Sequence, residues 1–330
     1  MTAALLSRAR SPTAGLRQVD PRRDMAAVAD LVQVAFAGQL DQTGERMVRD
    51  MRAFGRAGWI GWLLGRLILP PAAYPEGFVW EEGGRLVGNA SLLPVDGYPH
   101  RWVMANVAVH PDYRRRGIAK AMVMAGLELA CERRGEVVLL QVNSANREAQ
   151  ILYAGLGFHP LCTRTTWTRR APPTAQPPGS TGLVRRRQGK DWEDQLALAR
   201  RLHPEGLVWP FPLEESFFRP GAIALDGGRH WVWVEGGRVQ ASLSAQPVSA
   251  RLSWRLVLIV EPEARGKAEG LMLAHALREL PWGGPATLDY PAGVAEQALW
   301  GLGFRPDHTL TWMAFDLTKD RESRSFVGSS

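Results

Sequence analysis

Cysteine is nearly absent. Only Cys131 and Cys162 occur in 330 residues, which excludes a disulfide framework and a cysteine-built zinc site. Long hydrophobic runs are absent too. The most apolar stretch, 58–73, is interrupted by Arg66 and ends at Pro70-Pro71, short of the ~20 apolar residues a bilayer span needs. The first 17 residues scatter Leu and Ala without a continuous apolar core, so no secretory signal is expected. A cytoplasmic protein with no metal and no membrane partner is the expectation.

Excess charge is confined to one half. The chain carries 40 Lys and Arg against 33 Asp and Glu, a net +7. Residues 1–170 hold 22 basic and 15 acidic residues; residues 171–330 hold 18 of each. A nucleic-acid surface needs a basic stripe with interleaved aromatics, and no such stripe is present, so no nucleic-acid partner is expected.

What is present is a device for holding phosphate. Val107-Ala108-Val109-His110-Pro111-Asp112-Tyr113-Arg114-Arg115-Arg116-Gly117-Ile118-Ala119 reads as a strand stopped by Pro111, a basic loop, and a helix opened at a small residue. The start of a helix leaves backbone N–H groups without intrahelical partners, and its dipole adds partial positive charge. Gly117 and Ala119 allow a phosphate close approach to that backbone, and Arg114, Arg115 and Arg116 supply countercharge. No Gly-Lys-Ser/Thr follows, so this is not a nucleoside-triphosphate loop. Further on, the apolar run 137–140 reads as a buried strand. It leads to Asn143-Ser144-Ala145-Asn146 and then to a short helix containing Leu152-Tyr153, stopped by Gly155 and Gly157 before Phe158.

Both motifs, in this order and at this spacing, resemble the GNAT (Gcn5-related N-acetyltransferase) superfamily. Arg-x-x-Gly-x-Ala resembles its acetyl-coenzyme A loop, and the Asn, Leu-Tyr, Gly-Phe series its second signature. The resemblance implies an α/β (α+β) fold, a mixed and mostly antiparallel sheet with helices on both faces. The periodicity agrees: helical patterns over 25–36, 46–54, 59–69, 118–134 and 145–153, a hairpin about Gly83-Gly84, and strands over 100–109, 136–142 and 161–169.

The chain contains this pattern twice. Val79-Trp80-Glu81-Glu82-Gly83-Gly84-Arg85-Leu86 matches Val232-Trp233-Val234-Glu235-Gly236-Gly237-Arg238-Val239 at an offset of 153. Val109-His110-Pro111-Asp112 matches Val260-Glu261-Pro262-Glu263 at 151, Arg116-Gly117-Ile118-Ala119 matches Arg265-Gly266-Lys267-Ala268 at 149, and Gly155-Leu156-Gly157-Phe158 matches Gly301-Leu302-Gly303-Phe304 at 146. The order is kept and the offset only shrinks, as expected for one domain present twice with short deletions in the second copy. The expected layout is a catalytic copy at 1–170, a Pro-rich linker at 171–182, a degenerate copy at 183–318 and a disordered tail at 319–330. Two of the three loop arginines are missing from copy two, Leu299 stands opposite Tyr153, and Ala292 stands opposite Asn146. Mycothiol synthases are similar in tandem layout, but their C-terminal half is the better preserved one, so their substrate is not carried over.

The resemblance implies acetyl transfer from acetyl-CoA to an amine of a small molecule or peptide. Val107, Ala108 and Val109 would present main-chain groups to the pantetheine arm and the thioester carbonyl. Arg115 to Lys120 (Arg115, Arg116, Gly117, Ile118, Ala119, Lys120), with Arg114 before them, would wrap the pyrophosphate, and Asn146 would contact the cofactor arm or simply cap its helix. Tyr153 would protonate or hydrogen-bond the leaving thiolate. The general base is open: relatives that acetylate ribosomal protein N-termini carry Glu where this chain has Gln141, and Asn106, Glu81, Glu82, Asp96, His100, His110 and His159 are the alternatives. Trp59, Trp62 and Leu63 either floor an apolar acceptor pocket or pack against the sheet or the second copy. A catalytically silent acyl-CoA-binding sensor or scaffold is the rival reading. A monomer acting as a pseudo-dimer, or a homodimer, is the expected assembly.

Overall fold

A computed structural model describes residues 15–38, 42–56, 76–95, 97–170, 183–203, 207–208, 211–212, 215–220, 228–248, 253–280 and 285–318. The helix expected over 59–69, with Trp59, Trp62 and Leu63, lies outside these residues, as do Asp96, the linker at 171–182 and the tail at 319–330. The described chain forms two compact units. The first comprises residues 1–142, 146–161 and 312–330; the second comprises 143–145 and 162–311.

In the first unit, β1 (Gly15–Gln18), α1 (Met25–Ala35) and α2 (Gln42–Arg56) precede β2 (Glu76–Glu82), β3 (Arg85–Val95) and β4 (Tyr98–Val109). Then come α3 (Ile118–Glu132), β5 (Val137–Asn143), α4 (Arg147–Gly155) and β6 (His159–Arg169). Strands run in the order β1-β2-β3-β4-β5, antiparallel except for the parallel β4–β5 pair. Gly83 and Gly84 take φ of 60° and 76°, the left-handed pair that a two-residue hairpin turn requires. Helices cover both faces. One face packs Val138, Leu140 and Val142 of β5 with Val123 and Leu127 of α3 and Tyr153 of α4. The other packs Val28, Leu31 and Val32 of α1 with Val48 of α2, Val79 and Ala108.

The second unit repeats the scheme. It contains β7 (Val184–Arg186), α5 (Asp191–Leu202), the short β8 (Leu207–Val208), β9 (Phe211–Pro212) and α6 (Glu215–Phe218), then β10 (Arg229–Glu235), β11 (Arg238–Val248) and β12 (Ser253–Val260). They are followed by α7 (Ala268–Glu279), β13 (Ala286–Pro291), α8 (Glu296–Gly301) and the start of β14 (Arg305–Asp316). The order is β6-β13-β12-β11-β10-β7, with only β12–β13 parallel. Its turn glycines Gly236 and Gly237 take φ of 59° and 75°. The repeat reaches further than the matched motifs. Arg17 pairs with Asp24 across the β1–α1 turn at 2.6 Å, and Arg185 pairs with Asp191 across the β7–α5 turn at 2.5 Å.

Two strands fall differently from the sequence division. β6 belongs to the first copy by sequence, yet its residues from Cys162 onward lie in the second unit, paired with β13 from Arg164↔Pro291 to Arg169↔Ala286. β14 belongs to the second copy, yet from Trp312 onward it lies in the first. Met313 and Leu317 enter the cluster of Tyr153 and Leu140, and the Phe315 ring stands 5.4 Å from that of Phe158. Three large side chains of the first unit's core therefore come from the end of the chain. Each buried side chain of this kind contributes about 1.5–3 kcal/mol, and total stability is typically about 5–15 kcal/mol. A chain ending at residue 170 should thus fail to fold cooperatively. A sharp urea transition for that fragment would count against this reading of the core.

Candidate active site

The site starts from an irregularity in β4. Opposite β3, the register steps from Asn89↔Ala108 to Ser91↔Ala105: two residues on β3 face three on β4. The extra residue is a bulge, and Asn106 takes φ of 52° there, a left-handed value that Asn tolerates better than most residues. The Asn89 side chain, 1% exposed, donates from Nδ2 to the Asn106 carbonyl at 2.9 Å. One inserted residue reverses which side chains face which way. Trp102 and Met104 point into the α3 and α4 cluster, whereas after the bulge Ala108 points to α1. On the other edge, β4–β5 pairing runs only from Arg101↔Val137 to Met104↔Leu140. The main chain of 105–109 is thus carried away from β5, opening a cleft lined by Val107, Ala108 and Val109.

The basic loop closes one end of that cleft. Pro111–Tyr113 make a single 3₁₀ turn, and Gly117, at φ of 77°, precedes α3 with no side chain capping the helix. The three arginines differ in role. Arg114 donates to the carbonyl of Ala35 at the end of α1, 3.1 Å away, and so fastens the loop. Arg115 pairs with Glu148 in the first turn of α4 at 3.1 Å, both side chains four-fifths exposed. Arg116 pairs with Glu82 at 3.3 Å and lies over the Tyr113 ring. Exposed pairs of this kind are worth little, so Arg115 and Arg116 can exchange their carboxylates for a phosphate at small cost. The Arg115–Glu148 pair also brings the loop beside the start of α4, where Asn146 caps the helix by accepting from the Ala149 N–H at 3.1 Å. Asn146 is therefore a cap in this structure, whatever else its amide contacts.

Tyr153 is 6% exposed, edge-on to Phe158 at 5.8 Å, in the same apolar cluster that Val107 packs against. Burial pushes its phenol up to about 12. It therefore stays protonated, a donor, throughout the neutral range.

The candidate bases separate clearly. Glu81 is held by Arg17 at 2.8 Å and Glu82 by Arg116. His100 bonds the Arg134 carbonyl, and His110 sits between Asp112 and Arg85. Gln141 stands one residue past the last β4–β5 pair, and its buried Nε2 has no partner. None of the group is a carboxylate free in the cleft. Among the described residues, no three His, Cys, Asp or Glu side chains are grouped to hold a metal.

Sequence reasoning missed Asn89, Glu148 and the bulge itself. Asn89 had a signal, a buried polar residue between Gly88 and Ala90 in an apolar strand; the bulge had only the shrinking offset. The second unit shows why. Its β11–β12 register is unbroken from Ala241↔Val260 to Val248↔Ser253, so the extra residue of β4 is the one missing there. Leu299 and Tyr153 do correspond: each carbonyl accepts at 3.0 Å from the Phe five residues on, Phe304 and Phe158. The position one past the last parallel pair, Gln141 in the first unit, is Asp289 in the second, held by Arg164.

Residues 45–158 match the Acetyltransferase (GNAT) family. Similar curated proteins include a mycothiol acetyltransferase of Thermobispora bispora, 32% identical over 46% of this chain and 47% of that protein. An N-alpha-acetyltransferase RimI of Mycobacterium tuberculosis is 33% identical over 27% of this chain and 54% of that protein. The chain spans about half the length of the curated relatives it matches. Among solved structures, a tandem GNAT protein from the clavulanic acid biosynthesis pathway aligns over 92% of this chain and 99% of its own at 17% identity, with a TM-score of 0.53. An N-acetyltransferase from Sphaerobacter thermophilus aligns over 92% and 95% at 14% identity, with a TM-score of 0.57. At such identities the structural likeness concerns the fold.

The raised phenol of Tyr153 has a consequence for stability. Its ordinary value is 10.0 and its folded value about 12. The unfolded chain therefore ionises first, and the stability due to the buried neutral phenol, complete below pH 10, is lost as pH rises from about 10 to about 12. The difference in urea stability between wild type and Tyr153→Phe should shift against wild type by about 2 kcal/mol between pH 9 and pH 12. A difference independent of pH would show that Tyr153 is not buried.

Proposed function

We propose that this chain, which belongs to the GNAT family of acetyltransferases, transfers an acetyl group from acetyl-CoA to a primary amine in its first unit. The observation that carries the reading is the bulged, splayed β4 leading straight into an uncapped helix start. An extended thioester with a pyrophosphate at one end fits that combination. Acetyl-CoA supplies an acetyl group already activated as a thioester. Val107 to Val109 offer the pantetheine arm and the thioester carbonyl main-chain groups that β5 does not use. The N–H groups from Gly117 to Lys120, with Arg115 and Arg116, hold the pyrophosphate. Tyr153 keeps its proton until the departing sulfur needs it.

Proton removal from the amine is assigned to water ordered in the cleft, because Gln141 cannot take a proton. A silent acyl-CoA sensor has this same absence in its favour, and turnover decides between the two. The second copy is read as a non-binding partner, and a cytoplasmic location belongs to the same reading. The names of the relatives support an amine acceptor without identifying it.

Tyr153→Phe removes only the phenolic oxygen. Acetyl-CoA-dependent acetylation, followed as free thiol release across a panel of amines, should fall about 10²–10⁴-fold with cofactor affinity little changed. Unchanged turnover would leave solvent as the acid.

Calorimetric titration with acetyl-CoA should give one site per chain. Gly117→Glu sets a bulky anion where the pyrophosphate approaches and should weaken binding at least about tenfold, or about 1.4 kcal/mol. The fold should persist, since a Cβ at Gly117 meets nothing within 4 Å. Gly266→Glu should leave affinity unchanged. Equal losses from both changes would mean that the two copies share the cofactor.

A further inference from the structure

The loop of the second unit has the backbone form of the first. His110 (φ −54°, ψ 136°) and Glu261 (φ −56°, ψ 140°) open the two 3₁₀ turns, and Arg114 (φ −64°, ψ 162°) and Arg265 (φ −62°, ψ 150°) close them. Gly117 at φ of 77° and Gly266 at 80° follow, and a helix begins after each. The third position after the glycine differs: Lys120 is exposed, whereas Glu269 is 0% exposed. Glu269 Oε2 accepts from the Gly266 N–H at 2.7 Å, and its Oε1 accepts from the Tyr290 hydroxyl at 3.0 Å. Tyr290 is itself 3% exposed, and the same register position in β5 is Val142. Lys and Val in one copy are thus Glu and Tyr in the other, and the two new side chains bond each other.

We propose that the second loop is an anion site permanently occupied by the chain's own carboxylate: Glu269 stands in for a phosphate at the head of α7. An ordinary capping carboxylate is exposed and reaches back to the N-cap N–H. Glu269 is instead fully enclosed, reaches the residue before the cap, and has its second oxygen satisfied from another strand. A carboxylate withdrawn from water is costly unless its lone pairs are met. Here the N–H groups and positive end of the helix meet them, and these are the groups that would otherwise hold a phosphate. Loss of cofactor binding in this copy is therefore an active replacement, in addition to the lost arginines and the lost bulge.

The proposal deepens the reading of residues 107–120 as the phosphate-holding stretch, but its test does not use them. Glu269→Ala empties the site and leaves the Gly266 N–H and the Tyr290 hydroxyl facing a space that fits a formate ion. Thermal denaturation of the full chain in sodium formate and in sodium chloride of equal ionic strength reads its occupancy. Formate should raise the Tm of Glu269→Ala saturably, by at least about 3 °C, and leave wild type and Glu269→Gln unmoved. A variant that refolds only with formate present is the same result in stronger form. An equal response of all three proteins, or no formate effect on either the melting or the refolding of Glu269→Ala, overturns the proposal. Failure here with Gly117→Glu still abolishing acetyl-CoA binding would leave the first unit's assignment intact; the reverse pair of results would overturn that assignment alone.

Discussion

One hydrogen bond organises the first unit. Asn89, buried in β3, donates to the carbonyl of Asn106 and so holds a residue of β4 in a left-handed conformation that the sheet would otherwise iron out. A buried amide left without that acceptor costs about 1–3 kcal/mol, enough to decide between a regular and a bulged strand. The bulge has two effects on the cleft. It turns Val107 and Val109 toward the α3 side and Ala108 toward α1, and it lies just beyond the last residue of β4 that pairs with β5. Main-chain groups after it are free for a ligand while their side chains still pack in the core. The binding backbone and the core are the same residues.

The second unit is the natural control for this constraint. Its equivalent of Asn89 is Ser242, buried and bonded by Gln195 Nε2 at 2.8 Å, and its β12 has no extra residue. Trp254, Leu256, Leu258 and Val260 all face α7, while Val257 and Ile259 face α5. That is the strict alternation of a strand serving only to pack. The offset between the copies falls from 153 at the hairpin to 151 at Val109 and Val260, and part of that loss is the bulge. A shrinking offset, read at first as neutral deletion, records the removal of a functional irregularity.

Much of this was legible in the sequence, and what escaped did so for physical reasons. The strands, the long helix after the Arg-rich loop and both Gly-Gly hairpins follow from period and turn chemistry, which are local. The Arg-x-x-Gly-x-Ala motif and the Tyr153 helix are local as well. The bulge depends on a contact between residues 17 apart, Asn89 and Asn106, and neither is unusual alone. The placement of β6 and β14 is less legible still. Both strands alternate as any packed strand does, and no residue in 159–169 or 305–316 says which core it will join. Phe315 fills the space beside Phe158 only because the chain returns there more than 150 residues later.

Glu269 shows the limit most clearly. In sequence it is an acidic residue in the first turn of a helix, the commonest and least informative place for one, opposite an equally ordinary Lys120. Full burial and the hydroxyl of Tyr290 give it meaning. Electrostatics explains why the two copies diverged in this way. A helix start aimed into a cleft carries unpaired N–H groups, and once an anionic ligand no longer binds there, those groups need another acceptor. Water meets the need at an open site, as at Gly117. Where the loop is shorter and the strand beside it bears Tyr290, a carboxylate from the next turn is the nearest acceptor that can be enclosed. The same backbone thus poses one electrostatic problem to both copies. In the first it is open to a phosphate from outside; in the second it is closed by the chain itself.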